Sequence, residues 1–179
     1  MDCNHNLEVR LYRTILGKEF ERLTPVLQEF HDEANSAEGV FTVTHDPRIL
    51  AKILVLVMRL PKAGTNLPMK LEISADNGSE TWVRQIGVSK LVSHQSELEG
   101  KLIERTGPLK FRFRVSESNG GMDFIQLGCS FLGMKLPRVL SPNVTAKITP
   151  NSGGWHVIVT IAITRLGTIC QYDGEVHIP

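Results

Sequence analysis

The chain has 179 residues, 41% of them apolar and 22% charged, an ordinary globular balance and enough length for one domain with a substantial core. Its formal net charge of +1 gives no strong electrostatic reason to expect nucleic acid. No window approaches the ~20 apolar residues of a membrane span. The nearest, ILAKILVLVMRLP at 49–61, is short and carries Lys52 and Arg59.

The N-terminal MDCNHNLEVRLYR lacks the apolar run of a secretion signal. Leu7, Leu11, Ile15 and Leu16 recur at helical spacing, with Gly17 as a natural stop. Phe20, Leu23, Leu27 and Phe30 then mark a second helical face, with Pro25 in a first turn and Thr24 as its N-cap. GVFTVTH, 39–45, reads as a short strand stopped by Asp46-Pro47. A third helix is expected over 47–59, with Ile49, Ile53, Leu56 and Leu60 on one face.

From residue 67 the period becomes two. Met69, Leu71, Ile73 and Ala75 alternate with polar residues up to Asn77-Gly78, a tight-turn pair. The returning arm ETWVRQIGV places Trp82, Arg84, Ile86 and Val88 on its more apolar face. Two short strands follow, broken near Gly100. Then Leu109, Phe111, Phe113 and Val115 point inward, with Lys110, Arg112 and Arg114 outward. Turns at 119–121, 152–154 and 166–167 separate further strands. WHVIVTIAI and FIQLGCSFLG are apolar on both faces, which predicts cover on both sides.

About eight to nine strands in close succession, with no helix between them, must pair antiparallel. The expected fold is therefore α+β: a highly curved antiparallel sheet, an incomplete or closed barrel, with two or three helices packed on it. It forms one domain, mainly helical over 1–64 and stranded over 65–179.

Six phrases in order, LYRTILGKEFERLTPVLQEFH, LPKAGTNLPMKLEI, ETWVRQIG, GKLIERTGPLKFRFRV, GMDFIQLGCSFLGMKLPRVLSP and YDGEVHIP, resemble the bacterial family catalogued as domain of unknown function 4166. The resemblance covers nearly the whole chain. Members often look like C-terminal partners of a dinucleotide-binding, saccharopine-dehydrogenase-like domain, which implies a dehydrogenase-like protein as a possible partner. No strand followed by G-x-G-x-x-G occurs in these residues, and no cofactor is expected.

Chemical constellations are sparse. Cys3, Cys129 and Cys170 lack metal-ligand spacing and read as reduced thiols of a cytoplasmic protein. The six histidines form no metal motif, although His45-Asp46 could be a fragment of a site. KFRFRV sends its aromatics and cations to opposite faces, unlike a nucleic-acid stacking platform.

The informative anomaly is Arg84 on an apolar face, with Glu104 and Arg105 in a neighbouring strand, one of which must face inward. A buried arginine needs a partner. Three readings are open: an internal Arg84–Glu104 pair with Trp82 stacked on the guanidinium, a ligand anchor in a cavity, or a shifted register that leaves Arg84 at the surface. The expected function is a non-enzymatic module that binds a small apolar or amphipathic, lipid-like ligand inside the curved sheet. Trp82, Arg84, Glu104, Arg105 and Phe113 would form its site. A dimerisation or docking domain is the alternative. An enzyme would need a base such as Glu104 or His45 in the cavity.

Overall fold

A computed structural model describes residues 10–179. Two short helices open the described chain: α1 (Leu11–Leu16), continued by a 3-10 turn (Gly17–Arg22), and α2 (Pro25–Asp32). Strand β1 (Ser36–His45) and helix α3 (Ile49–Val57) follow. The remaining strands are β2 (Gly64–Asp76), β3 (Ser79–Ile86), β4 (Ser89–Leu98), β5 (Lys101–Thr106), β6 (Leu109–Ser118), β7 (Gly121–Phe131), β8 (Met134–Lys135), β9 (Pro142–Asn151), β10 (Gly154–Ile163) and β11 (Gly167–His177).

The sheet order is β6-β5-β4-β3-β2-β1-β11-β10-β9-β7-β8, with β6 also paired to β7. Ten antiparallel strands therefore close into a barrel, and β8 is a two-residue appendage on β7. The expected strand count was too low. β1, set apart from the other strands by α3, completes the ring by pairing with β2 on one side and β11 on the other.

Period-two alternation sends one face of each strand inward, as expected. Leu109, Phe111, Phe113 and Val115 of β6 are all buried, as are Trp82 and Ile86 of β3. Asn77-Gly78 turns β2 into β3 with positive φ at both residues, 48° and 75°. Val88 departs from the expectation. β3 ends at Ile86, so Val88 falls in the next turn and is 79% exposed. β7 also differs: the outward Ile125 and Leu127 are exposed, so this strand is not covered on its outer side.

The interior of an eight-stranded barrel is just wide enough for its own side chains. Ten strands leave more room, and the N-terminal helices fill part of it. Tyr12, Phe20, Leu27 and Phe30 are buried, making α1 and α2 a plug in one end. The plug is fastened by Thr24 N–H to Gly120 O at 2.9 Å and by Glu117 N–H to the Glu19 carboxylate at 3.1 Å. Thr24 is the N-cap residue of α2, but its side chain makes no cap hydrogen bond. Arg13 of α1 joins the two helices through a bidentate contact with Asp32. The expected start of the first helix at Leu7 lies outside the described residues.

Antiparallel alternation puts α3 and the β3–β4, β5–β6, β7–β9 and β10–β11 connections at the opposite end. There Asp46 N–H bonds to Ile169 O at 3.0 Å, and Lys62 N–H to Ser89 Oγ at 3.0 Å. The helix expected over 47–59 is present, but its apolar stripe of Ile49, Ile53 and Leu56 faces solvent.

Candidate functional site

The inward faces converge on a cavity of about 160 Å³ in the barrel lumen. Trp82, Arg84 and Ile86 reach it from β3, Gln95 from β4, Glu104 from β5 and Phe113 from β6. The plug adds Tyr12, Phe30 and His31, and the far wall contributes Trp155 and Tyr172.

Arg84 and Glu104 meet inside the barrel. The Arg84 guanidinium donates to Glu104 Oε1 at 3.3 Å and to Ser93 Oγ at 2.9 Å, and its central carbon lies 4.8 Å from the Trp82 ring centroid. Of the three readings of Arg84, the surface position is overturned and the internal pair is present. The pair is not sealed in packed apolar matter. The two side chains are 23% and 18% exposed, because they border the lumen cavity.

The network extends toward the plug. Gln95 Nε2 donates to Glu104 Oε1 at 3.5 Å, and Tyr12 O–H donates to Gln95 Oε1 at 3.0 Å. Burial drives the Tyr12 phenol well above its ordinary range, so it acts as a neutral donor. Burial also pushes the Tyr172 phenol up to about 12. Trp82 is held from behind: its indole N–H donates to the buried Glu80 carboxylate at 2.7 Å. Desolvation raises Glu80 above the usual carboxylate value, opposed by the Trp82 hydrogen bond.

His31 is the unbalanced member. It is 3% exposed, its ring centroid is 4.1 Å from that of Tyr12 and 4.8 Å from that of Phe30, and its Nε2 has no hydrogen-bond partner among the described residues. Burial lowers its imidazole to about 3, so the ring is neutral at ordinary pH. A buried polar atom left unpaired costs about 1–3 kcal/mol, and His31, which borders the cavity, carries that cost at Nε2.

Of the five residues singled out from the sequence, Trp82, Arg84, Glu104 and Phe113 come together around the lumen. Arg105 does not: strand alternation turns it to the outer face, exposed and opposite Lys110. His45 lies away from the lumen at the end of β1, with a ring nitrogen 2.8 Å from Pro61 O. Sequence reasoning missed Tyr12, His31, Gln95 and Tyr172. A signal existed for Gln95. The Gly87-Val88 turn pairs Ile86 with Ser89, and counting back places Ser93 opposite Trp82 and Gln95 opposite Glu80. His31 shares α2's buried face with Leu27 and Phe30 at i+3 and i+4 spacing.

Cys129 and Cys170 are free and buried, with thiols pushed by burial to about 11 and about 12, which keeps them protonated and poorly nucleophilic. Among the described residues no group of three or more His, Cys, Asp or Glu side chains gathers at ligating distance. A larger, more open cleft of about 800 Å³ lies where β7 and β9 part, bordered by Lys110, Gln126, Lys135 and Arg138. There the Gln126 amide donates to Ser141 Oγ and Pro142 O and accepts from Val144 N–H, and Lys135 and Arg138 are exposed, so the cleft presents no comparable unmet contact.

Residues 23–176 match the family described as domain of unknown function (DUF4166), and the chain belongs to that family. Comparison with curated proteins and with solved structures finds no match.

Proposed function

We propose that the barrel lumen binds a small amphipathic molecule and that the protein is a binding module rather than an enzyme. The observation that carries this reading is a lumen cavity of about 160 Å³ bordered by His31 and by the partly exposed Arg84–Glu104 pair. An apolar body would lie against Trp82, Phe113 and Trp155. A polar end would meet His31 and the partly accessible Arg84–Glu104 pair. Because that pair is already neutralised internally, the polar end need carry no full charge, and a hydroxyl or carboxyl would serve.

The size of the space limits the ligand. A cavity of about 150 Å³ takes benzene, so the lumen suits a small ring or a short chain. A long acyl chain would require α1 and α2 to withdraw.

A thermal-shift series with phenol, benzoate and hexanoate tests the reading. At about a hundredfold excess over Kd, a bound ligand stabilises by about 2.7 kcal/mol, which raises Tm by several degrees. Ala146→Leu, which fills the lumen wall, should abolish the gain. A gain of the same size in that variant would place binding outside the barrel and overturn the reading.

A further inference from the structure

The end of the barrel opposite the plug concentrates exposed apolar side chains. On α3, Ile49, Leu50, Ile53, Leu56 and Val57 are between 51% and 78% exposed. At the same end, Val88 in the β3–β4 turn is 79% exposed, and Leu132, Met134 and Leu140 between β7 and β9 are at least 66% exposed. Solvent-facing residues of this kind are common singly, but ones gathered at the loop tips of one end mark an interaction surface.

The charge at this end has one sign. The connections that form it carry Arg48, Lys52, Arg59, Lys62, Lys135, Arg138 and Arg165 against a single acid, Asp46. Asp46 is taken up by Arg48 at 2.6 Å, and the other six cations form no ion pair among the described residues. Since the whole chain has a formal net charge of only +1, the remainder is net acidic.

We infer that this end docks on an anionic lipid surface, with α3 lying in the bilayer interface. Protruding aliphatic tips inside a cationic border fit that partner: the tips enter the acyl boundary and the cations meet headgroup phosphates. The open cleft between β7 and β9, bordered by Lys110, Lys135 and Arg138, belongs to the same end and gives headgroups a place to sit. Two alternatives fit less well. A second copy would bring like charges together across an isologous contact. A protein interface is normally rich in aromatics and poor in lysine at its centre, and this end exposes no Phe, Tyr or Trp among its large hydrophobics. The mode is surface attachment: among the described residues no helix is long and apolar enough to cross a membrane.

Flotation of the full chain with ligand-free vesicles tests the inference independently of the lumen. Vesicles of phosphatidylcholine containing phosphatidylglycerol should carry the protein up, pure phosphatidylcholine much less, and high salt should weaken the association. Ile53→Ser with Leu56→Ser removes two exposed side chains, so the fold should stand, while partitioning falls by about tenfold or more. Lys52→Glu with Lys62→Glu should remove the preference for anionic vesicles, and an unchanged Tm would show that either effect is not unfolding. Failure of the wild-type chain to float with anionic vesicles, or equal flotation of the serine variant, overturns the inference. A lipid-free dimer or protein complex that the serine variant dissolves would also overturn it.

Discussion

At the scale of single residues, the energetics turn on Arg84, Glu104 and His31. Removing one partner of a buried ion pair leaves an uncompensated charge, worth about 3–5 kcal/mol when fully buried. Here both side chains keep some access to the lumen, at 23% and 18% exposure, so Arg84→Met should cost less, about 1–3 kcal/mol. Urea denaturation should show that loss, and Arg84→Met combined with Glu104→Gln should recover part of it. A double variant as unstable as the single one would mean the pair contributes only packing.

His31 adds a pH signature. Its folded value of about 3 lies below its unfolded value of 6.5, so the unfolded chain takes the proton first and stability falls as pH drops through that window. The slope is about 1.4 kcal/mol per pH unit, giving roughly 2 kcal/mol between pH 6.5 and pH 5. In His31→Met the same stretch should flatten, and an unchanged slope would assign the acid sensitivity elsewhere.

Arg84 was legible as an anomaly because a hairpin at Asn77-Gly78 fixes its parity. Which of Glu104 and Arg105 faces inward was not legible, because a break near Gly100 leaves the next strand's phase free. Tyr12 and His31 were hidden for a different reason: helix periodicity marks a buried face without saying what it is buried against.

At the scale of elements, the tightest constraint is a group of strand glycines against which neighbouring backbone packs closely. A Cβ on Gly174 would lie 2.2 Å from Val40 O, and one on Gly39 would lie 2.1 Å from Glu175 O. Both contacts are with backbone, so the β1–β11 ladder itself would have to move. Gly174→Ala should therefore cost upwards of about 3 kcal/mol or prevent folding. Gly128→Ala, with nothing within 4 Å, should change stability by no more than about 0.5 kcal/mol. Paired denaturation curves would decide, and equal midpoints would deny that the close approach matters.

Most elements were readable from period and turn residues. α3 shows where that reading stops. Helical spacing places Ile49, Ile53 and Leu56 on one face, yet burial goes to Ala51 and part of Leu54 and Val55. Period alone carries no information about which neighbours an apolar stripe will find.

At the scale of the whole molecule, antiparallel curvature was legible but closure was not. Closure depends on β1 pairing with β11, residues more than a hundred positions apart in the chain, and no local pattern reports such a contact. Once closed, ten strands enclose more volume than their own side chains fill, and the plug only partly makes up the difference. Both tryptophans of the chain, Trp82 and Trp155, look onto what remains. Intrinsic fluorescence is therefore the most direct measurement of whether the lumen is a binding site. Titration of the folded protein with phenol and with hexanoate should give a saturable change in tryptophan emission, absent in Ala146→Leu. Emission that does not saturate with either molecule, or that responds identically in the filled variant, would contradict a ligand-holding barrel.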